Sequence, residues 1–177
     1  MILAVLFTLV FISGVVVGSV KAVQFNFGCE AYLKRAANAN TVELARSELE
    51  KAIDYIEKNN ITEGIVSIFL KNPANDIGFW YNNIKSAYEE LTNLPEESTP
   101  LEKTNVLMKL RESLTDSDEN GSTTVISPGG IEIYPNNVLF FWWILGSIAA
   151  LSLFWILFGV AAGANSKAKK LKETLAE

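Results

Sequence analysis

Residues 138–163 read VLFFWWILGSIAALSLFWILFGVAAG and carry no charged side chain. At about 1.5 Å of rise per residue, a helix of this length spans roughly 39 Å, more than the roughly 30 Å hydrocarbon core of a bilayer. The pattern therefore predicts a tilted transmembrane helix. Four lysines follow this stretch, at Lys167, Lys169, Lys170 and Lys172. Because basic residues beside a span favour the cytoplasmic side, we expect the basic tail, residues 164–177, to lie in the cytoplasm.

A second apolar stretch, ILAVLFTLVFISGVVVGSV, occupies residues 2–20. Its position at the start of the chain and the tripeptide at 20–22 fit a secretory signal peptide. Its length and the absence of a basic region before it favour an uncleaved transmembrane helix over residues 1–23. Both interpretations place residues 24–137 outside the cytoplasm, and we expect an integral protein of the plasma (inner) membrane.

Both stretches contain small residues four positions apart, a spacing that lets helix backbones approach closely. These pairs are Gly14 with Gly18, Gly146 with Ala150, and Gly159 with Gly163. The first two pairs lie at matching depth if the helices run in opposite directions, so we expect an antiparallel pair packed at these positions. The third pair lies near the cytoplasmic end and is left for another contact, such as a second copy of the chain.

Aromatic residues open the second apolar stretch, at Phe140, Phe141, Trp142 and Trp143. Amphipathic rings are enriched where a membrane span meets the headgroups. We therefore interpret these four residues as an anchor at the outer membrane interface, with the lysine cluster as its counterpart on the inner side.

Residues 24–115 show the apolar periodicity of amphipathic helices. Asn40 followed by Glu43 resembles a capping box, and the apolar residues after it predict a helix over 41–58. Residues 61–70, ITEGIVSIFL, are ambiguous because glycine and β-branched residues weaken a helix. We expect a short helix there.

Two later helices carry start signals. Asp76 can cap a helix whose apolar stripe begins at Trp80, and Thr99 with Glu102 predicts a capping box. Helices joined by short connections bury their stripes against one another, so residues 24–115 predict a small antiparallel bundle.

Residues 116–137 have a different composition. Residues 116–124, DSDENGSTT, are polar and predict an acidic linker. Residues 125–134, VISPGGIEIY, predict a short β-hairpin that turns about Pro-Gly-Gly. The predicted fold is thus mainly α, with two transmembrane helices that flank an extracytoplasmic bundle and a β-hairpin before the second transmembrane helix.

The linker also contains a partial calcium motif. Asp116, Asp118 and Asn120 alternate before Gly121, as in the loop whose oxygens converge on Ca²⁺. The match fails at Ser127, where the motif requires a bidentate glutamate. We favour a solvated acidic linker over a calcium site.

Composition narrows the possible functions. Residues 22–137 carry 18 acidic and 10 basic side chains, a net charge of −8, which disfavours binding to nucleic acid. The chain contains one cysteine, Cys29, and no histidine. It therefore offers no zinc or transition-metal ligand set, and we expect no cofactor.

One aromatic cluster, residues 79–83 with the sequence FWYNN, could line a ligand pocket near Asp76. Trp80 belongs to the apolar stripe of its helix, however, and residues 81–83 face elsewhere at helical spacing. We favour core packing over a binding site.

We find no catalytic constellation in the sequence and expect a protein that is not an enzyme. Our first hypothesis is a membrane-anchored interaction or assembly protein, whose acidic ectodomain docks a protein partner or a second copy. The alternative is an extracytoplasmic ligand-sensing module that signals through a separate protein, since the layout is similar to the sensory part of bacterial chemoreceptors.

Overall fold

A computed structural model describes residues 2–117 and 123–174 of the chain. The chain divides into two compact units. We call Met1–Ser19 with Val138–Glu177 the helix-pair unit, and Val20–Asn137 the bundle unit.

The described residues are mainly helical. The α-helices are α1 (Ile2–Phe25), α2 (Ala31–Ala37), α3 (Val42–Lys58), α4 (Ile77–Thr92), α5 (Pro100–Leu114) and α6 (Asn137–Thr174). A π-helical turn, Asn26–Glu30, joins α1 to α2, and short 3-10 turns occur at Pro73–Asn75 and Ile131–Ile133. Strands β1 (Thr115–Ser117) and β2 (Thr123–Val125) form an antiparallel pair.

Two helical segments, Val5–Ala37 and Asn137–Ala164, are long and apolar enough to cross a membrane. The predicted mainly helical fold with two such helices is confirmed at this level. Helix α6 does not end at Gly163 but continues through the lysine cluster to Thr174.

Within the helix-pair unit, α1 and α6 pack against each other in opposite directions. A Cβ atom placed on Gly14 would lie 2.8 Å from Ile144, and one on Gly18 would lie 2.7 Å from Phe140. The absent side chains of α1 therefore leave notches that large side chains of α6 fill. Trp143 adds a hydrogen bond, since its indole N–H donates to the carbonyl oxygen of Val10 at 3.1 Å.

The core of the bundle unit forms where α3 packs against α2, α4 and the π-helical turn. The fully buried side chains of α3 recur at helical spacing, as at Ala45, Leu49 and Ile56. The predicted helix is confirmed, but its cap is Thr41 rather than Asn40. The Thr41 hydroxyl accepts a hydrogen bond from the amide of Leu44 at 3.2 Å.

The start signals of α4 and α5 are confirmed. The Asp76 carboxylate accepts a hydrogen bond from the amide of Phe79 at 3.0 Å. Thr99 and Glu102 form a reciprocal capping box, in which the amide of Thr99 donates to Glu102 at 2.7 Å. Helix α5 packs against α2 and α4, and it buries Leu110 and Leu114.

The predicted short helix over residues 61–70 is wrong. This segment is irregular, and Gly64 has a φ of +114°, a backbone conformation that L side chains rarely adopt. The hydroxyl of Tyr134 lies so close to Gly64 that a Cβ atom would overlap it. A residue 70 positions away along the chain thus determines this conformation, and helical propensity does not.

The predicted β-hairpin about Pro-Gly-Gly is also misplaced. The two strands lie on either side of the acidic segment, and Thr115 pairs with Val125. Gly130, with a φ of +88°, instead turns the chain into the 3-10 turn that buries Ile131.

Candidate functional site

A groove of about 470 Å³ lies on the surface of the bundle unit. Its floor is α4, and its walls are the end of α5, the segment 126–128 that follows β2, and the turn before α4. The lining side chains are mostly apolar and include Phe79, Trp80, Ile84, Leu114, Ile126 and Pro128. Such an apolar concavity with few polar groups is typical of binding sites.

Three hydrogen bonds fix the wall formed by residues 126–128. The Trp80 indole N–H donates to the carbonyl oxygen of Ile126 at 2.8 Å, and the amide of Ile126 donates to Leu114 at 2.9 Å. The Ser127 hydroxyl donates to the Glu30 carboxylate at 2.9 Å. Because α4, α5 and the π-helical turn all hold this wall, the groove is preformed.

Trp80 belongs both to the core and to the groove. It is buried, and its ring centroid lies 6.4 Å from that of Phe25 inside the core. Phe79, the preceding residue, is 65% exposed, and Ile126 across the groove is 46% exposed. The groove thus presents two large apolar side chains to its surroundings on either side of a rigid tryptophan.

The groove continues along the helices. A second depression of about 210 Å³ lies between α4 and α5 and shares Asn83 and Ser113 with the first. Lys109 and Glu90 form an ion pair at 2.9 Å on its wall. The combined surface is therefore elongated, with an apolar end and a charged end.

The aromatic cluster predicted from the sequence is divided between two environments. Phe79, Trp80 and Asn83 line the groove, so core packing was only part of their role. Tyr81 is buried on another face of α4, and its hydroxyl donates to the Glu57 carboxylate of α3 at 2.5 Å. This hydrogen bond raises the pKa of Tyr81 to about 12.

The burial of the Glu48 carboxylate was not predicted from the sequence. Glu48 is only 1% exposed, and one of its oxygens forms ion pairs with Arg35 at 3.0 Å and with Lys51 at 2.8 Å. The other oxygen is buried without a hydrogen-bond partner. The sequence offered one signal of this burial: Glu48 lies three residues after the buried Ala45, a spacing that puts both residues on the same face of α3. The cluster joins α2 to α3 and lines neither groove.

The partial calcium motif is described only in part. Asp116 lies in β1, whereas Asp118 and Asn120 lie outside the described residues. Residues 2–117 and 123–174 contain no group of three or more acidic, cysteine or histidine side chains that could hold a metal ion.

The predicted helix-packing residues have different environments. Gly14 and Gly18 lie at the contact between α1 and α6, as described above. A Cβ atom on Gly146, Gly159 or Gly163 would meet nothing within 4 Å, so Gly146 does not pair with the α1 glycines. Ala150 is half-buried. The α6 side chains that meet Gly14 and Gly18 are the larger ones of Ile144, Trp143 and Phe140.

The four aromatic residues predicted to lie at the membrane interface also have different environments. Phe140 and Trp143 contact α1, while Trp142 is exposed and its ring meets that of Phe141 edge-on at 5.4 Å. Of the four lysines in α6, the side chain of Lys167 is described and is exposed. The side chains of Lys169, Lys170 and Lys172 lie outside the described part.

Comparison of the chain with protein-family models, with curated proteins and with solved structures found no match.

Proposed function

We propose that this protein is a membrane-anchored, non-enzymatic interaction or assembly protein whose acidic bundle unit docks a protein partner outside the cytoplasm. The observation that carries this proposal is the preformed apolar groove with exposed Phe79 and Ile126. An apolar surface that persists in an otherwise well-buried unit favours association.

Anchoring is supported by the outer surfaces of α1 and α6. Large apolar side chains are exposed along both helices, for example Leu9, Val16, Leu153 and Trp155. A bilayer would solvate these side chains, whereas water would not. The lysines at the end of α6 favour a cytoplasmic C-terminus, and this orientation supports a bundle unit outside the cytoplasm.

The shape of the groove favours a protein segment as the occupant. The apolar end and the charged end lie in succession along α4 and α5, so a peptide helix or strand could contact both. Lys109 and Glu90 offer one charge of each sign at the second end. Trp80, which is buried and held by a hydrogen bond, is the kind of rigid aromatic residue that contributes most at interfaces.

The test is purification of the full-length protein from its own membranes in mild detergent, with Phe79→Asp as the groove variant. Leu101→Asp is the matched control, because Leu101 is 69% exposed and does not line either groove. We expect a stoichiometric partner whose recovery falls about tenfold or more with Phe79→Asp and is unchanged with Leu101→Asp. Recovery of the chain alone, or equal loss in both variants, would contradict the proposal.

A ligand-sensing module is the second candidate, because the volume of the groove suits it. Small-molecule pockets measure about 300–1,000 Å³, and the groove falls in this range. A small apolar ligand would raise the thermal stability of the purified protein and change the fluorescence of Trp80. A saturable shift that Phe79→Asp abolishes, without any protein partner, would favour sensing over docking.

A further inference from the structure

The groove and the second depression form one continuous surface along α4 and α5, which we call the seam. Apolar side chains that recur every three or four residues line it on both helices: Ile84, Ala87 and Leu91 on α4, and Val106, Leu110 and Leu114 on α5. Side chains at this spacing form the ridges between which another helix packs. From Trp80 to Leu91, α4 rises about 16 Å, which corresponds to three turns of a helix.

The side chains in the middle of the seam are small. Ser86 and Ala87 lie there on α4, and Ser113 lies opposite them on α5. Large side chains, such as Phe79 and Ile126, stand at the apolar end. Small residues at the centre let the backbone of a third helix approach to the usual axis separation of about 8–10 Å. The shape of the seam therefore suits a helix.

The main chain of the groove wall after β2 is already engaged. The amide of Ile126 donates to Leu114 at 2.9 Å, and its carbonyl oxygen accepts from the Trp80 indole at 2.8 Å. Pro128 has no N–H, and its carbonyl oxygen accepts from the amide of Ile131 at 3.1 Å. Addition of a strand requires unpaired backbone groups, whereas a helix satisfies its own. The wall therefore favours a helix over a strand as the occupant.

The charged side chains that line the seam in the described part of the chain are Asp76, Glu90 and Lys109, with a net charge of −1. Asp76 and Glu90 stand at opposite ends of α4, about 21 Å apart along its axis. Residues 22–137 as a whole carry a net charge of −8. The field around the seam therefore attracts a basic segment.

The ion pair at the charged end leaves Glu90 accessible. The Lys109 ammonium donates to both oxygens of the Glu90 carboxylate at 2.9 Å, but the two side chains are 69% and 42% exposed. An exposed pair of this kind contributes little to stability, because water screens it. A basic side chain of a partner can therefore share the Glu90 carboxylate with Lys109.

We propose that the seam binds a basic amphipathic α-helix of a partner protein, about three turns long. Its apolar residues, three or four positions apart, pack against Trp80 and Ile126, and a lysine or arginine near each end lies beside Asp76 or Glu90. This inference rests on the proposed docking function and names the chemistry of the partner. Recognition of a helix through an apolar face and flanking charges is a common mode of peptide binding.

The test measures the affinity of the recovered partner for the full-length protein in mild detergent, with two variants of one ion pair. Glu90→Gln leaves Lys109 unpaired, and we expect it to weaken binding about threefold; Lys109→Gln frees Glu90, and we expect it to strengthen binding about threefold. Both changes should diminish in about 0.5 M salt. Glu112→Gln is the matched control, because Glu112 is exposed on α5 and does not line the seam.

The opposite signs at positions 90 and 109 would indicate an acidic partner and overturn this inference, as would equal affinities for all variants. The segment that crosslinks to a benzophenone at position 79 supplies the second readout. We expect apolar residues three or four positions apart and an excess of lysine and arginine. Alternating apolar residues or a net acidic segment would overturn the helix and leave docking intact. Recovery of no partner would overturn docking and this inference together.

Discussion

In the helix-pair unit, large apolar side chains such as Leu9 and Trp155 are more than half exposed, whereas in the bundle unit Leu33, Leu49 and Ile56 have no exposed surface. The helix-pair unit buries few apolar side chains because α1 and α6 meet along a narrow stripe. In the proposed bilayer, the surroundings of the remaining side chains are themselves apolar. The bundle unit buries its apolar residues because water drives them together. Exposure of an apolar side chain is therefore informative only where the surroundings are aqueous. In the bundle unit, the exposed apolar side chains include Phe79 and Ile126, which lie together in the groove.

The largest expected effect is in the core of the bundle unit. Leu49→Ala removes a fully buried side chain, and we expect it to lower the free energy of unfolding by about 2–5 kcal/mol. Leu44→Ala is the control, because Leu44 lies on the same helix and is 46% exposed; we expect a change within about 0.5 kcal/mol. The measurement is thermal or denaturant unfolding of the purified protein. Equal changes in the free energy of unfolding for the two substitutions would contradict the assignment of Leu49 to the core and Leu44 to the surface.

A smaller effect is expected in the helix-pair unit. Gly18→Leu would place a side chain where the ring of Phe140 lies, at an expected cost of about 1–3 kcal/mol to the packing of α1 against α6. Gly146→Leu is the control, since nothing lies within 4 Å of that position.

The readout is disulfide formation between Phe11→Cys and Ser147→Cys, which the register of Gly14 with Ile144 places level. We expect Gly18→Leu to slow this reaction and Gly146→Leu to leave it unchanged. The reverse result would show that the small residues of α6, as first predicted, form the contact.

The smallest effect concerns the polar contact between α3 and α4. The hydrogen bond to Glu57 raises the pKa of Tyr81 to about 12, above the value of about 10 for an unfolded tyrosine. The folded state thus holds this proton more tightly, and the stabilisation is complete below about pH 10 and is lost as the pH rises towards 12. Tyr81→Phe should cost about 0.5–1 kcal/mol at neutral pH.

The melting temperature measured from pH 7 to pH 11 tests this prediction. The Tyr81→Phe variant should lose less stability above pH 10 than the wild-type chain does. Parallel curves for the two proteins would show that the Tyr81 hydroxyl contributes nothing in this range.

The sequence predicted the elements that local signals define. Asp76, and Thr99 with Glu102, cap their helices through contacts only three residues long, and the helical spacing of α3 reports its buried face directly. The uncharged stretches likewise predicted two helices of membrane-spanning length, because length and composition are local properties.

The groove and the corrected elements depend on contacts between distant residues. The wall of the groove exists because Trp80 bonds to Ile126, which is 46 positions away, and no periodicity reports such a contact. The irregular segment at Gly64 depends on Tyr134, and the burial of Glu48 depends on Arg35 from another helix. These features required the packing of the bundle to be known.

The most direct test of docking is photocrosslinking with the full-length protein in its own membrane. A benzophenone amino acid replaces Phe79 in one chain and Leu101 in a second, because both positions are exposed but only Phe79 lines the groove. We predict one discrete adduct with a protein partner from position 79 and no such adduct from position 101. No adduct at position 79, or the same adducts from both positions, would contradict the account that the groove docks a partner.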